Sequence, residues 1–291
     1  MRNKQVVVHL YGGIGNQLFQ YTFGEYLRYK HQLNVFYDIS SFGVLATFRE
    51  LQINSITDEI PIFKTGHFFF SRYTKYLRIV LKVLFCMKRG YKYFYNGIDE
   101  SILTADNWKV IYFDGYWQDK KYAEWIISNV GNIYLSIDKI PVEFEKYIHF
   151  VKKHNVTSIH IRRGDYLKKE NINLLGICSL KYYTDSVEYI LSKDPSTEII
   201  VISDDNEWVR KNLRLSKNYI IVEELNIKPF WYIYLMSQCN NNIMSNSTFS
   251  WWGAFLNNHN EKIIVAPMHW MKQKENPPIY TDTWKLIDNW K

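Results

Sequence analysis

Short runs of β-branched residues alternate with longer stretches of helical periodicity along most of the chain. In the first half this pattern predicts strands at 5–10, 34–37 and 110–113, and helices at 16–31, 72–89, 119–129 and 141–155. In the second half it predicts strands at 157–161, 198–203, 218–222, 242–244 and 262–266, and helices at 179–192, 207–213, 230–238 and 248–257. Regular alternation of this kind is typical of α/β architecture with parallel sheets.

The alternation restarts after 141–155, which we interpret as the bridge between two halves. The sequence therefore predicts two doubly wound Rossmann-type domains, at 1–150 and 151–291. A ligand of such a sheet binds beyond the carboxyl ends of the strands, so two sheets that face one another would form a binding cleft there.

Charged and apolar positions separate on the predicted helix at 72–89. One face carries five bases, which are Arg72, Lys75, Arg78, Lys82 and Arg89. The opposite face carries seven apolar residues, which are Tyr76, Leu77, Ile79, Val80, Val83, Leu84 and Met87. The apolar face could pack on the rest of the protein, or the helix could lie on an anionic membrane surface. The sequence leaves both interpretations open.

Composition excludes a disordered chain, because 47% of the 291 residues are hydrophobic and only 22% are charged. The net charge of +7 favours an anionic partner. Eight bases and no acid lie between Glu59 and Asp99, so the rest of the chain carries about −1. One compact basic patch is a poor match to the charge stripe that follows a duplex, and we expect no nucleic-acid partner.

The three cysteines are Cys86, Cys178 and Cys239, and their spacing fits neither a disulfide framework nor a metal site. No signal peptide is visible, and no apolar segment approaches the roughly 20 residues of a membrane span. We therefore expect a reduced, cytoplasmic protein, which would lie at the inner face of the membrane if its basic helix binds lipid.

A glycine turn follows the first predicted strand, at a place where backbone must approach a ligand closely. Gly13 and Gly15 begin a dinucleotide-binding fingerprint, but Leu18 stands where its third glycine would be. Asp38 follows at the spacing of a ribose ligand, which keeps a nicotinamide-dependent enzyme open. A purely structural turn, with Asn16 as the helix N-cap, is the other interpretation.

Two arginines follow the strand at 157–161, and side-chain alternation places His160 and Arg162 on one face. Arg162 and Arg163 at the end of a buried strand are costly unless an anion or a carboxylate neutralises them. Their planar donor forks match phosphate. An internal ion pair, to Asp165 for example, is the alternative.

Two further segments carry polar groups that could complete such a site. Asp204 and Asp205 follow the next strand and could bind a base or ribose, hold a divalent metal, or cap the following helix. Ser247 and Thr248 stand at a helix start, where free N–H groups and hydroxyls make an anion site unless they serve only as a cap. An arginine pair and a helix start in one domain together indicate a diphosphate pocket built without metal.

These segments together resemble the bacterial α-1,2-fucosyltransferases, glycosyltransferase family 11. The resemblance rests on segments 13–17, 114–118, 160–166, 203–205 and 245–252, which occur in the expected order. It implies an inverting transferase with a GT-B-like fold that moves L-fucose from GDP-β-L-fucose to the 2-hydroxyl of a galactose. It implies neither a metal nor another cofactor.

The resemblance also assigns the nucleotide site to the second domain. His160 and one of Asp204 or Asp205 would contact guanine or ribose. Arg162, together with Arg163, would hold the diphosphate.

The remaining implied roles belong to the helix starts and to the acceptor. Ser247 and Thr248 would donate to phosphate, and Asn16 would reach from the first domain towards the sugar or the β-phosphate. Asp165 is the expected general base for the acceptor hydroxyl. The acceptor would be a galactose-terminated glycan, for example a lipid-linked O-antigen repeat unit.

Two other functions stay open at this point. One is a metal-dependent GT-A-type glycosyltransferase that uses Asp204 and Asp205. The other is a catalytically silent protein that binds glycan or lipid.

Overall fold

The computed structural model describes residues 4–42, 50–56, 61–62, 75–131, 140–272 and 274–291. Contacts divide the chain into two compact units, Met1–Ser136 and Ile137–Lys291. Each unit contains one parallel sheet, and the predicted class of two Rossmann-type α/β domains is confirmed. The predicted cleft between them stays a prediction. Among the described residues, no helix combines the length and the apolarity needed to cross a bilayer.

Unit 1 is built on a sheet of four strands. The strands are β1 Gln5–His9, β2 Asn34–Asp38, β3 Tyr91–Tyr95 and β4 Val110–Asp114. The helices are α1 Ile14–His31, α2 Lys75–Met87, α3 Ser101–Thr104 and α4 Lys120–Asn129. The sheet order is β2-β1-β4-β3, and neighbouring strands are parallel. Strand β3, which the sequence pattern did not predict, pairs with β4 at the edge of this sheet.

Helix α2 attaches to the sheet through residues other than those expected. Leu81 and Phe85 pack on Val7, Val110 and Tyr112. The seven apolar residues proposed as a packing face are instead between 43% and 82% exposed. The interpretation that this face packs on the protein is therefore wrong, because the true contact lies on the other side of the helix. The predicted start of the helix at 72–74 lies outside the described residues.

Unit 2 is built on a sheet of six strands. The strands are β5 Val156–Ile161, β6 Glu198–Ser203, β7 Tyr219–Ile221, β8 Asn241–Ile243, β9 Ile264–Pro267 and β10 Lys285–Ile287. The helices are α5 Val142–Lys153, α6 Lys169–Leu174, α7 Leu180–Lys193, α8 Asn206–Asn212, α9 Phe230–Ser237 and α10 Thr248–Phe255. The sheet order is β10-β9-β8-β5-β6-β7. When β5 to β10 are renumbered 1 to 6 and the sheet is described from the β7 edge, this is the 3-2-1-4-5-6 order of dinucleotide-binding sheets.

The division between the units falls before α5, whereas the sequence pattern placed it at 150/151. Helix α5 belongs to unit 2 because its buried face packs there. The Phe144 ring lies 5.1 Å from the Tyr232 ring, and the Tyr147 hydroxyl accepts the backbone N–H of Glu223 at 2.9 Å. The stretch interpreted as a bridge is therefore part of the second fold.

Candidate functional site

The candidate site in unit 2 lies where β5 and β8 are neighbours. Strands β6 and β7 lie beyond β5, and strands β9 and β10 lie beyond β8, so the chain turns in opposite directions from this point. Such a switch point leaves a crevice at the carboxyl ends of the strands, where doubly wound sheets bind ligands. His160 near the end of β5 and Ser245 after β8 meet here, with Nδ1 and Oγ 2.8 Å apart.

Two carboxylates hold the Arg162 guanidinium. Nη2 donates to Asp165 Oδ1 at 2.5 Å, and Nη1 lies 2.8 Å from Asp204 Oδ2. The guanidinium carbon also lies 5.5 Å from the centre of the Tyr166 ring. The side chain is still 21% exposed, so the fork is fixed in position while part of it stays accessible to a ligand.

Arg163 pairs with a different carboxylate. Its Nε lies 3.2 Å from Asp205 Oδ2, and its guanidinium stacks over Trp208 at 3.7 Å. Its backbone N–H donates to Asp204 Oδ1 at 2.8 Å. A Cβ on Gly164 would lie 2.5 Å from Asp204 Oδ2, so the residue after the arginine pair must be glycine for this carboxylate to approach.

Charge within this cluster constrains the ligand. The two arginines face three carboxylates, those of Asp165, Asp204 and Asp205, so the internal ion pairs foreseen as an alternative are present. An anionic ligand that takes one of these paired N–H groups must displace a carboxylate. Asp165 is the more exposed partner of Arg162, at 32% against 24% for Asp204. Asp165 is therefore the partner that a ligand can replace most easily.

The aspartates also serve the fold. Asp205 caps α8, because its Oδ1 accepts the Trp208 backbone N–H at 3.0 Å. In the part of the chain that the structure describes, no group of three or more His, Cys, Asp or Glu side chains is arranged to hold a metal ion. The contacts of these carboxylates in the structure are with the two arginines and, for Asp205, with the start of α8.

His160 is a buried, neutral residue. It is 3% exposed, and its ring lies 5.2 Å from the Phe249 ring. Burial, assisted by the positive charge of Arg162, lowers the pKa of His160 from its ordinary 6.5 to about 3. The imidazole is consequently uncharged at neutral pH, and its bond to Ser245 connects β5 to the turn before α10.

The start of α10 is connected to the arginine through a tyrosine. Ser247 caps the helix by accepting, at 3.3 Å, the N–H two residues further on, and Thr248 is the first helical residue. The Tyr166 hydroxyl donates to Asn246 O at 3.0 Å, one residue before the Ser247 cap. Because Arg162 lies over the ring of the same tyrosine, the cationic fork and the hydroxyl-bearing helix start belong to one set of contacts.

The predicted glycine turn in unit 1 precedes α1. Gly12 has a φ of +82°, in the region that favours glycine, and Gly13 is the N-cap. Asn16 therefore lies inside the helix, and its interpretation as the N-cap is wrong. Its Oδ1 accepts from Gln118 Nε2 at 3.1 Å, which ties α1 to the segment after β4. A Cβ on Gly13 would meet nothing within 4 Å, so the backbone there is open to a ligand.

Asp38, the residue that kept a nicotinamide enzyme open, is 1% exposed. Its carboxylate accepts the Tyr112 hydroxyl at 2.5 Å and the Ser40 backbone N–H at 2.9 Å. Both contacts lie within unit 1. The carboxylate is therefore used by the fold and is not presented to a ribose.

The carboxyl end of the unit 1 sheet carries a polar cluster that the sequence pattern did not reveal. His9 and Asp114 end the adjacent strands β1 and β4, and Nδ1 lies 3.0 Å from Oδ1. Ser41 Oγ faces His9 Nε2, and Tyr93 and Lys82 reach the other carboxylate oxygen. Burial alone would raise the pKa of Asp114, but hydrogen bonds from His9 and Tyr93 and the charge of Lys82 hold it below its usual range.

Aromatic rings border this cluster. The Tyr11 ring lies 4.7 Å from His9 and 4.9 Å from Tyr116, which is 39% exposed. The buried Gln20 side chain accepts the Tyr11 backbone N–H at 2.9 Å and donates to Gly115 O at 3.1 Å. One amide thus fixes both loops that follow β1 and β4. Only the strand register, which brings residues far apart in sequence together, could have indicated this cluster.

Comparison with known families decides the classification. The family described as Glycosyl transferase family 11 matches residues 5–288. The chain belongs to glycosyl transferase family 11. The match extends over both units, and the protein is accordingly a glycosyltransferase.

Two relatives from Escherichia coli match this family 11 chain over nearly its whole length. The O-antigen biosynthesis glycosyltransferase WbnK is 29% identical over 301 residues, which cover 94% of this chain and 98% of the relative. An α-1,2-colitosyltransferase is 28% identical over 283 residues, which cover 93% of each. The galactoside α-(1,2)-fucosyltransferase 1 of Leontocebus fuscicollis is 30% identical over 101 residues, which cover 34% of this chain and 28% of the relative.

Among solved structures, the fucosyltransferase NodZ from Bradyrhizobium matches 87% of this chain and 93% of its own, with 13% identity and a TM-score of 0.46. A likeness at this level carries no argument about fold or function.

The predicted site residues of this family 11 protein fall into two groups. Those in unit 2 form one connected set of contacts around the switch point, and they are His160, Arg162, Arg163, Asp165, Asp204, Asp205, Ser247 and Thr248. Those in unit 1 surround the start of α1, and they are Gly13, Gly15 and Asn16. Their roles towards a ligand stay predictions.

Proposed function

We propose that this protein is an inverting galactoside α-1,2-fucosyltransferase. It moves L-fucose from GDP-β-L-fucose to the 2-hydroxyl of a galactose in a glycan such as an O-antigen or another surface polysaccharide. The set of contacts that joins Arg162, through Tyr166, to the start of α10 in a family 11 chain carries this proposal. The names of the WbnK and fucosyltransferase relatives support the same class of reaction.

In this proposal the donor diphosphate replaces Asp165 on Arg162. A guanidinium offers two parallel N–H groups that match phosphate oxygens as well as they match a carboxylate. Asp204 keeps its hold on Nη1, so the fork stays oriented while its other arm changes partner. Arg163, stacked on Trp208, supplies a second positive charge.

The start of α10 completes the diphosphate site. Ser247, Thr248 and the N–H dipoles at the start of this helix interact with phosphate oxygens. As the bond between fucose and phosphate breaks, negative charge grows on the diphosphate. Donors that are already in place stabilise that transition state more than the ground state.

Of the residues that the sequence assigns to the nucleoside, we retain only one for direct contact. Asp205 is 30% exposed and is the carboxylate that we assign to the ribose or base. His160 is buried against Ser245, so we assign it a positioning role at the turn before α10. Its neutral ring holds this turn at the position where the helix N–H groups meet phosphate.

The acceptor hydroxyl must lose a proton to a base during transfer. Asp165 fills this role in the proposal, because the phosphate that binds Arg162 releases its carboxylate. Asp165 thus forms an ion pair with Arg162 before the donor binds, and it accepts the proton of the acceptor hydroxyl afterwards.

The acceptor glycan is assigned to unit 1. The exposed Tyr116 ring, with Tyr11 beside it, offers the flat apolar surface on which a sugar face can pack. His9, bonded to Asp114, lies against the Tyr11 ring and helps to hold this aromatic surface in position. A lipid-linked repeat unit is the proposed form of the acceptor.

Incubation with GDP-fucose and a panel of galactosides, followed by linkage analysis, tests the proposal. The expected product carries α-linked fucose on the 2-hydroxyl of galactose, and GDP is released. A colitosyl donor is the comparison arm, because one relative is an α-1,2-colitosyltransferase. Glycan binding without GDP release would instead indicate the catalytically silent protein.

The metal requirement is measured in the same assay. Full activity in excess chelator is expected, since the arginines and the helix start carry the charge of the leaving group. Activity that disappears with chelator and returns with Mn²⁺ would support the metal-dependent GT-A-type alternative.

A further inference from the structure

Helix α2 presents a continuous apolar face to solvent. Seven of its side chains are between 43% and 82% exposed, and they are Tyr76, Leu77, Ile79, Val80, Val83, Leu84 and Met87. At about 100° per residue, these positions cover roughly 160° of the helix circumference. Exposed apolar surface of this extent marks a contact with another molecule or with a membrane.

The orientation of the helix is fixed by its opposite side. Phe85 is 1% exposed, and together with Leu81 it packs on the sheet of unit 1. Helical geometry places Tyr76 and Met87 nearly opposite Phe85. A surface helix usually turns its apolar face to the core. Helix α2 does the reverse, and two anchoring residues hold it in that orientation.

The segment that contains α2 is positively charged. The segment between Glu59 and Asp99, which includes α2, contains eight bases and no acid. Lys88 and Arg89 are exposed just after the helix. An apolar helix face followed by exposed bases is a combination with which interfacial helices bind anionic lipid, the apolar groups entering the headgroup boundary and the bases at the helix end meeting phosphates.

A second copy of the chain is a poor occupant for this face. Two copies of α2 would bring two segments of eight bases together with no acid between them. A helix of 13 residues is about 20 Å long and about 10 Å across, so its face is much smaller than the roughly 800 Å² per partner of a stable dimer. An anionic bilayer has the opposite charge to this segment, so there is no repulsion. Its surface is extended, and the area that a stable dimer requires does not apply to it.

We infer that α2 docks this protein on an anionic lipid bilayer, lying in the plane of the interface with its apolar face towards the acyl chains. The inference goes beyond the transfer reaction, since none of its residues belongs to the proposed donor site. Lys82 connects the helix to Asp114 at 3.3 Å, so the docked helix adjoins the proposed acceptor site in unit 1. A lipid-linked acceptor would therefore be recognised close to the membrane that holds it.

Co-sedimentation of the full chain with vesicles tests the inference. Binding is expected to vesicles of phosphatidylglycerol and phosphatidylcholine, to weaken with added salt, and to be much weaker with phosphatidylcholine alone. The triple variant Tyr76→Ser, Ile79→Ser, Val83→Ser is expected to lower the affinity at least about tenfold. Charge reversal by Lys88→Glu and Arg89→Glu should weaken binding to anionic vesicles only.

A matched control removes exposed apolar side chains elsewhere. Val142→Ser and Ile220→Ser replace residues that are 71% and 41% exposed outside α2, and vesicle binding should not change. All variants should keep wild-type transfer to a short galactoside in solution, which separates loss of docking from failure of the proposed function or of folding. Unchanged vesicle binding by the triple variant would overturn the inference. So would a wild-type dimer that the triple variant converts to monomer, or a wild-type chain that leaves the vesicles unbound.

Discussion

At the scale of single residues, His160 couples protonation to stability. Its pKa in the folded chain is about 3, mainly because of burial, whereas the ordinary value is 6.5. Between pH 6.5 and about 3, His160 is therefore protonated in the unfolded chain but not in the folded chain. The stability that this group contributes is fully present above pH 6.5 and is lost as the pH falls towards 3.

Replacing His160 with Asn should flatten the acid side of the stability profile. Asn keeps a polar group near the position of Nδ1 for Ser245 but has no proton to take up. The wild-type free energy of unfolding should fall more steeply than that of the variant below pH 6.5, by up to about 1.4 kcal/mol per pH unit. Urea denaturation at several pH values measures the two slopes. His149→Asn, at an exposed position, is the control, and equal slopes for wild type and His160→Asn would contradict the account.

The Asp165→Asn variant separates binding from proton transfer. It keeps the shape of the side chain but cannot act as a base, so kcat should fall about 10²–10⁴-fold. GDP should bind as tightly as to wild type or more tightly, because the competing charge on Arg162 is gone. Calorimetric titration with GDP and a transfer assay give the two values. A parallel loss of GDP affinity and kcat would show that Asp165 only orients the arginine.

At the scale of elements, the sequence pattern predicts a strand best when the strand's own residues are apolar enough to show that it is buried. The central strands β1, β5 and β6 are runs of β-branched residues, and all were predicted. Strand β3 reads Tyr-Lys-Tyr-Phe-Tyr and is only half-buried at an edge, so it lacks the apolar run of a central strand. The orientation of α2 was also hidden, because its most apolar face is the one that the sheet does not cover.

The candidate site likewise contains some residues that the sequence pattern could identify and others that it could not. The arginines and the hydroxyl-bearing helix start stand in short segments beside predicted strand ends, and they could be found from sequence. The contact of His9 with Asp114 depends on the pairing of β1 with β4, strands separated by about a hundred residues. No local pattern contains that information. The ion pair of Arg162 with Asp165, three residues on, could be foreseen from sequence, whereas its contact with Asp204 depends on the pairing of β5 with β6.

The anchoring of α2 gives a prediction for this element. Phe85→Ala should destabilise unit 1 by about 3–5 kcal/mol, because it leaves a cavity between α2 and the sheet. Ile79→Ala, at a position of the same helix that is 55% exposed, should change the free energy of unfolding little. Urea denaturation of the full chain measures both variants. Similar losses at the two positions would mean that the helix does not dock through Phe85.

At the scale of the whole molecule, the two Rossmann-type units carry different parts of the proposed reaction. Unit 2 carries the arginine cluster and the dinucleotide-type strand order, and unit 1 carries the aromatic surface and α2. A ligand at a hundred times its Kd stabilises the state that binds it by about 2.7 kcal/mol. GDP should therefore slow hydrogen exchange most strongly in unit 2, at 160–166 and 245–249. Protection concentrated in unit 1 would contradict the assignment of the nucleotide site.

In the proposed reaction the Arg162 fork stabilises the departing diphosphate, and the kcat of Arg162→Lys measures that contribution. Lysine keeps the charge but loses the two parallel donors, so kcat with GDP-fucose should fall at least about 10²–10³-fold while the fold is retained. Arg210→Lys, at an exposed position on α8, should leave kcat unchanged. A turnover of Arg162→Lys close to that of the wild type would contradict the account.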